Sequence, residues 1–221
     1  LRLHKVTVQN DHLRENDTVL ATISLTERTQ TARNHTATHL MHAALREVLG
    51  EHVKQAGSLV APDRLRFDFT HYKGVSSREI REIEELVNEH IRRNTQVETE
   101  IKDLDEAVQD GAMALFGEKY QQQVRVVKVP GFSMELCGGT HVTHTGSIAL
   151  FKIVHETSVS AGVRRVEALT GKPALYRFLD DESLIARISG ELKVQPSDLI
   201  PTLEKMSQEL KTATKQVENL Q

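Results

Sequence analysis

The chain has 221 residues, of which 38% are apolar and 27% charged, and its formal net charge is −3. These values indicate one or two folded domains with a sizeable core. They exclude a general positive field as the means of binding nucleic acid and leave a local basic patch as the alternative. No stretch approaches the roughly 20 apolar residues of a membrane span, so no membrane partner is expected.

The single cysteine and the first residue bear on the setting of the chain. One cysteine cannot form an internal disulfide, so a reducing cytoplasm is the expected location. Leu1 is not an initiator methionine, and no signal peptide follows it. We therefore expect a piece of a longer protein.

Residues 1–28 alternate between apolar and polar side chains, which predicts a small N-terminal β segment. Val6 and Val8 precede a turn at Asn10-Asp11-His12, and a second alternating run follows at 19–25.

A period of 3.6 residues over 34–49 predicts the first helix. Asn34 is the candidate N-cap, and Gly50 is the candidate stop. The apolar stripe of this helix contains Ala37, Leu40, Met41, Ala44, Leu45 and Val48. The opposite face carries His35, His39, His42 and Arg46, because residues three and four apart share one side of a helix.

Strand patterns alternate with helical patterns through the middle of the chain. Residues 65–69 form half of a hairpin with one apolar face, and 76–79 resemble a capping box. Apolar runs at 124–129 and 147–154 predict two further strands. We expect an α+β fold over 29–172, with a β-sheet and packed helices.

Residues 173–221 change to a helical pattern. Apolar residues step by four and three at Leu199, Leu203, Met206, Leu210, Ala213, Val217 and Leu220. This is the a/d seam of a coiled coil, and Pro201 requires the helix to begin close to Ser197 or Asp198. The seam can join a second copy into a homodimer or fold back on its own chain, and the sequence leaves both open.

Two distant pairs of side chains form a candidate zinc site. His35 and His39 stand four residues apart, and Cys137 and His141 have the same spacing about a hundred positions later. An i,i+4 pair on a helix brings two imidazoles within reach of one ion. Thiolate and imidazole donors favour zinc over magnesium or calcium.

The same residues do not decide between a structural and a catalytic ion. A zinc protease needs a glutamate directly after the first histidine, and Thr36 stands there. Four protein ligands resemble a closed structural site, whereas hydrolysis needs an open position or an ion that orients the substrate. Gly138 and Gly139 allow unusual backbone angles and the close approach of a substrate.

Five segments resemble the editing region of bacterial-type alanyl-tRNA synthetases. They are RNHTATHL at 33–40, QAGS at 55–58, RFDF at 66–69, ELCGGTHV at 135–142 and GVRRVEA at 162–168. The resemblance covers nearly the whole chain and implies a hydrolase that removes serine and glycine wrongly attached to alanine tRNA. It also implies one zinc ion, the tRNA acceptor end as partner and the absence of the aminoacylation domain from this chain.

The resemblance also implies roles for individual residues. His35, His39, Cys137 and His141 would be the zinc ligands, and Gln55 would lie at the aminoacyl pocket. Cys137 and Gln55 would both be needed for hydrolysis.

Further substrate-binding candidates follow from charge and position. Arg66 and Asp68, on the polar face of the hairpin, are expected in the pocket wall. The tRNA end is expected at Lys73, Lys152, Arg164 and Arg165. At Ala149 this family often has glycine, and we expect the extra methyl group to narrow whatever the strand faces.

Two other functions remain open on the sequence. A threonyl-type or free-standing trans-editing hydrolase would share the zinc donors, although Cys137–His141 with the helical seam after it favours the alanyl type. A non-catalytic module that zinc holds together and that dimerises through its heptads would bind metal without cleaving an ester.

Overall fold

The computed structural model describes residues 6–9, 12–114 and 120–219. The predicted turn at Asn10-Asp11-His12 lies partly outside these ranges, and the last seam residue, Leu220, lies wholly outside them. The chain contains two antiparallel sheets with helices packed against them. The predicted α+β class is therefore confirmed.

The helices and strands follow one another in this order along the chain: α1 (Leu25–Leu49), β1 (Gln55–Val60), β2 (Leu65–Thr70), α2 (Ser77–Arg92), β3 (Glu98–Asp103), α3 (Leu104–Gln109), β4 (Gln123–Val129), β5 (Ser133–Leu136), a 3₁₀ turn (Thr145–Ile148), β6 (Phe151–Ser160), β7 (Val163–Thr170), α4 (Gly171–Leu192), a 3₁₀ turn (Pro196–Asp198) and α5 (Leu199–Glu218).

The strands predicted at the N-terminus are not found. Residues 6–9 and 12–24 belong to no strand, and apolar side chains such as Val6 and Val19 are exposed. A strand needs a neighbour for its backbone hydrogen bonds, and apolar alternation alone does not provide one. The prediction of a small β segment is wrong for the described part of 1–28.

Helix α1 starts earlier than predicted and ends where predicted. Ser24 is the N-cap, and its hydroxyl oxygen accepts a hydrogen bond from the Glu27 N–H. Asn34 lies inside the helix, fully buried, where its amide donates to the Ala61 carbonyl at 2.6 Å. Asn34 is therefore not the N-cap, whereas Gly50, with a φ of 115°, ends the helix as expected.

The larger sheet has the strand order β1-β2-β7-β6. Leu65, Phe67 and Phe69 of β2 are fully buried and belong to the same core cluster as the apolar stripe of α1. Helix α2 completes this core and begins at the predicted capping box of Ser76 and Glu79. One face of the sheet is thus covered by helices, as expected when its apolar residues occur at every second position.

The smaller sheet has the order β3-β4-β5 and lies against α1 through β5. The histidine face of α1 is consequently not a solvent-facing surface, since His39 and His42 are both buried. The sequence pattern predicted these imidazoles on the face opposite the apolar stripe but could not show what would cover them.

The strand predicted at 147–154 is interrupted. A 3₁₀ turn ends at Ile148, and β6 begins only at Phe151. Ala149 between them has a φ of 71° and is exposed, so its methyl group does not narrow any space that the strand faces. A glycine is favoured here because a positive φ costs it little, which corrects the expected effect of Ala149.

Two long helices end the described chain. Helix α5 begins after Asp198, close to the predicted start, and none of its residues is buried among the described ones. Pairing of its apolar seam into a coiled coil remains a prediction. Among residues 6–9, 12–114 and 120–219, no helix combines the length and apolar character needed to cross a membrane.

Candidate metal centre and adjoining pocket

The four side chains predicted to bind zinc lie together. Nε2 of His35 and Nε2 of His141 are each 3.3 Å from Sγ of Cys137. The His39 ring centroid is 5.2 Å from that of His35 and 5.0 Å from that of His141. One ligand atom from each residue lies within 4.8 Å of all the others. One thiol and three imidazoles at this spacing fit a tetrahedral zinc ion.

The outward ring nitrogens of two donors are held by buried or partly buried partners. Nδ1 of His39 is 2.6 Å from Oε2 of Glu135, and Nδ1 of His141 is 3.2 Å from the hydroxyl of Thr36. Nε2 of His39 is buried and has no hydrogen-bond partner in the described chain. Metal-bound histidines are oriented in this way, with one nitrogen fixed and the other left for the ion.

The electrostatics of the cluster favour a thiolate at Cys137. Burial alone would raise the pKa of this thiol, but hydrogen bonds from His141 and then His35 lower it to about 3. Burial lowers the pKa of His141 to about 4, which keeps its imidazole neutral. A thiolate with a neutral imidazole is the protonation state that zinc requires of its ligands.

His39 and Glu135 form a buried ion pair. Burial lowers the pKa of His39, but the Glu135 carboxylate outweighs it and raises that pKa to about 10. Burial raises the pKa of Glu135, and the charge of His39 brings it down to about 2. Zinc binding at Nε2 of His39 would therefore release a proton from this ring.

Hydrogen bonds from Arg125 to backbone carbonyls hold the loop after β5, and unusual backbone angles are not involved. Arg125 donates from one guanidinium nitrogen to the carbonyl oxygens of Cys137 at 2.9 Å and Gly139 at 2.7 Å. Neither Gly138 nor Gly139 has a positive φ, so the expected special backbone angles are wrong. Gly139 packs instead against the ring of His35.

A cavity of about 190 Å³ adjoins the metal centre. His42 lines this cavity, and its Nδ1 is 3.0 Å from Oε1 of Glu135, whose other oxygen contacts His39. One carboxylate therefore joins the cavity wall to a metal donor. The lining residues are His42, Arg46, Val53, Lys54, Gln55, Met113 and Ala114.

Gln55 lies in this cavity, and the strand register explains why. Gln55 pairs with Phe69, which puts both side chains on the face of the sheet that α1 covers. The register shifts between Gln55 and Gly57, a bulge of the kind that re-aims side chains next to functional sites. The Gln55 amide also donates to the hydroxyl of Ser58 at 3.3 Å.

Arg66 and Asp68 lie on the opposite face of β2 from Phe67, away from this cavity. Asp68 pairs with Arg165 of β7, and its two carboxylate oxygens accept hydrogen bonds from that guanidinium at 2.7 and 2.8 Å. Nε of Arg66 is 3.6 Å from the same carboxylate. Arg66 and Asp68 therefore do not line this cavity, and their place in the wall of an aminoacyl pocket stays a prediction.

The basic residues predicted at the tRNA end do not form one surface. Arg164 and Arg165 are adjacent on a strand and so point to opposite faces of the sheet. Arg164 donates to Glu156 at 2.6 Å, and Lys152 donates to Glu84 at 2.9 Å.

The Lys73 side chain is 72% exposed, and its ammonium lies 3.7 Å from Glu79. Gly138 lines a separate cavity of about 240 Å³ that also borders Cys137.

Sequence reasoning missed Glu135, Thr36 and Arg125 as parts of the site. Glu135 had a usable signal, because it stands two residues before Cys137 on a strand, and a metal-bound histidine commonly needs a carboxylate partner. The sequence offers no comparable signal for Arg125, whose contacts depend on the pairing of β4 with β5.

Comparison with known proteins bears on the same residues. The family model described as the threonyl and alanyl tRNA synthetase second additional domain matches residues 124–167. The alanine–tRNA ligase of Solibacter usitatus is 56% identical over 204 residues, which is 92% of this chain and 23% of that protein. That of Thermotoga maritima is 50% identical over 215 residues, which is 97% of this chain and 25% of that protein. The resemblance to the alanyl-tRNA synthetase family is confirmed.

These matches cover nearly all of this chain but only part of each relative. The chain spans about a quarter of the length of these curated relatives, so it is similar to one segment of an alanine–tRNA ligase. The segment matched by the family model includes Cys137 and His141 of the metal centre. The relatives align with nearly the whole chain, including both donor pairs.

Proposed function

We propose that this chain is the editing hydrolase of an alanine–tRNA ligase and that it deacylates seryl- and glycyl-tRNA(Ala). The observation that carries the proposal is the short path from metal donor to cavity, in which Glu135 contacts both His39 and His42. A zinc donor set linked through Glu135 to a small cavity with both polar and apolar lining residues suits the binding and hydrolysis of an ester. We further propose the cytoplasm as its location, since Cys137 is a free thiol.

A second site of this kind has a physical rationale. A pocket built for alanine cannot exclude the smaller glycine by a clash, and it rejects one added hydroxyl by only about a hundredfold. A separate cavity must therefore recognise the wrong ester after synthesis. We propose that the serine hydroxyl gains hydrogen bonds here that alanine cannot make, and that glycine is removed through a looser fit.

Three residues of the chain have distinct parts in this proposal. Gln55 and His42 both line the cavity, and Nε2 of His42 is buried without a hydrogen-bond partner in the described chain. They can hold the ester and an attacking water within it. Bound zinc would supply positive charge that stabilises the developing negative charge. Cys137 serves as a donor to that ion.

The decisive experiment is deacylation of seryl-tRNA(Ala), with alanyl- and threonyl-tRNA as controls. We expect rapid loss of serine while the alanyl ester is spared. Gln55→Ala should lose this activity with an unchanged melting temperature, and Cys137→Ala should lose both zinc and activity. Gln208→Ala, at an exposed position of α5, is the matched control. Zinc binding without cleavage of any ester would instead favour the non-catalytic module. Preferential removal of serine from threonine tRNA would favour the threonyl type.

We also propose that α5 pairs with a second copy of the chain. Leu203, Met206 and Leu210 of its seam are 45–69% exposed, and a regular a/d seam is stable only against another helix. Leu210→Glu should shift the chain from dimer to monomer in sedimentation equilibrium. Thr212→Glu, off the seam on the same helix, should leave the dimer intact. A monomeric unchanged chain would contradict this proposal.

A further inference from the structure

One aromatic side chain, two residues after the end of β2, is exposed and has no role in the core. Tyr72 is 90% exposed, and its ring lies nearly parallel to that of His52, with 6.2 Å between centroids and 20° between planes. The exposed face of the Tyr72 ring can stack on a partner with a flat face.

The ring beneath Tyr72 is fixed in place. Nε2 of His52 is 2.8 Å from Nδ1 of His71, and the two imidazoles stack with centroids 5.1 Å apart. His71 is buried and packs against Phe69 of the sheet core. The stack of Tyr72 on His52 is therefore anchored to rigid structure and does not depend on a flexible loop for its orientation.

Positive charge flanks the stack. Lys54 and Lys73 are both exposed, and Lys54 also borders the cavity that contains Gln55. Glu79 lies 3.7 Å from Lys73, but the two hydrogen bonds of the capping box with Ser76 hold Glu79 at the start of α2. Aromatic rings with neighbouring cations form the usual surface for single-stranded nucleic acid, where bases stack and phosphates pair with lysines.

The stack also lies within reach of the cavity. Gln55 stands three positions after His52, which limits the distance between their Cα atoms to about 11 Å. Hydrogen bonds between Lys54 and Thr70 hold this segment beside the end of β2. A nucleotide whose ester enters the cavity would bring its neighbours along the strand to this surface.

We propose that Tyr72 and His52 form a stacking surface for an unpaired base near the 3′ end of the tRNA, with Lys54 and Lys73 beside its phosphates. The proposal rests on the proposed function, because it takes the esterified 3′ end as the ligand of the cavity. It assigns the unpaired nucleotides next to the ester to this surface. Of the residues predicted at the tRNA end, only Lys73 belongs to it.

The test is a binding assay that needs no hydrolysis. The probe is a labelled RNA hairpin with a four-nucleotide unpaired 3′ end, compared with the same hairpin made blunt. Tyr72→Ala should bind the overhang RNA about 5- to 150-fold more weakly, the loss expected for one base stacked on an aromatic ring. Tyr72→Phe should bind like the unchanged chain, since it keeps the ring.

Tyr176→Ala is the matched control. Tyr176 is 51% exposed and, like Tyr72, lies near a lysine, here Lys172, but it belongs to α4. It should leave the affinity for the overhang RNA unchanged. Because the chain has no tryptophan and only three tyrosines, quenching of tyrosine fluorescence by the overhang RNA should also disappear in Tyr72→Phe while binding persists.

Three outcomes would overturn the proposal. They are equal affinity of the unchanged chain for overhang and blunt RNA, unchanged binding by Tyr72→Ala, and a loss in Tyr72→Phe as large as in Tyr72→Ala. Deacylation by the unchanged chain, measured on the same preparation, separates the two proposals. Active protein with normal binding by Tyr72→Ala removes only the stacking surface. Tyr72-dependent binding without deacylation removes only the hydrolase.

Discussion

Gly139 lies so close to His35 that a β-carbon at position 139 would overlap the imidazole ring. The neighbouring Gly138 has nothing within 4 Å of the corresponding position. The two adjacent glycines of this loop therefore differ in whether the structure could accept a side chain in their place. Only the second is required by the metal centre.

Substitution of these two glycines should separate their roles. Gly139→Ala must push the His35 ring away from Cys137, so we expect zinc affinity to fall by at least about tenfold. Gly138→Ala meets open space and should bind zinc like the unchanged chain. Competition with a chelator of known affinity measures both. Equal zinc affinity of the two variants would show that His35 is not a ligand.

Glu135→Gln should weaken zinc binding although it keeps the shape of the side chain. The carboxylate fixes the ring of His39 and supplies negative charge to the donor set. Loss of such a partner typically costs about 10- to 100-fold in metal affinity. Glu204→Gln on the exposed side of α5 is the control. A zinc affinity equal to that of the control would mean that His39 is oriented by something other than this carboxylate.

Asp68→Asn should lower stability without changing the rate of the proposed deacylation. Asp68 joins β2 to β7 through Arg165 on the face of the sheet opposite Gln55. We therefore expect a lower melting temperature and an unchanged deacylation rate per folded, zinc-loaded chain. A selective loss of rate at unchanged stability would place Asp68 in the pocket wall. Gln55→Ala, with the reverse pattern, is the comparison.

Ala149→Gly should stabilise the fold. A non-glycine residue at a φ of 71° is strained by roughly 1 kcal/mol or more, and the exposed methyl group contributes no packing. Urea unfolding should show a higher midpoint for the glycine variant with an unchanged slope. Ala61→Gly, in a turn without a positive φ, should not give this gain. A lower midpoint for Ala149→Gly would mean that the loss of chain entropy outweighs the strain.

His90 should make stability depend on pH. It is buried and stacks on Phe132 with ring centroids 3.5 Å apart. Burial, followed by the charge of Arg93, lowers the pKa of His90 below its usual 6.5. The unfolded chain therefore binds a proton near pH 6.5 that the folded chain does not, so stability should fall as the pH drops below that value.

His90→Phe tests this dependence, because phenylalanine keeps a ring and cannot titrate. At equal, saturating zinc, its free energy of unfolding should change less than that of the unchanged chain between about pH 7.5 and 5.5. Parallel pH profiles would contradict the assignment.

The metal donors could be predicted from sequence because their chemistry and spacing are local properties. His35 with His39 and Cys137 with His141 each carry their spacing in five consecutive residues. The capping box at Ser76 and the stop at Gly50 are equally local and were equally accessible. The start of α1 was missed although Ser24 and Glu27 form the S-x-x-E signature, because the residues between them and Asn34 are polar and show no apolar period.

Other features depend on partners that a pattern does not contain. Alternation in β2 predicts that Arg66 and Asp68 share a face, but only the pairing with Arg165 shows which face that is. Similarly, the pattern of α1 predicts a histidine face, and only the packing of β5 shows that it is buried. The N-terminal alternation failed for the same reason, since no strand pairs with it among the described residues.

The position of β7 in the larger sheet has a consequence for synthesis on the ribosome. It lies between β2 and β6, yet it is the last strand of the chain to be made. A nascent chain that has reached Gly162 already holds all four candidate zinc donors, but β2 and β6 still lack the strand that joins them. The sheet that presents Gln55 is completed only as residues 163–170 emerge. Translation must therefore pass this strand before the four-stranded sheet can form.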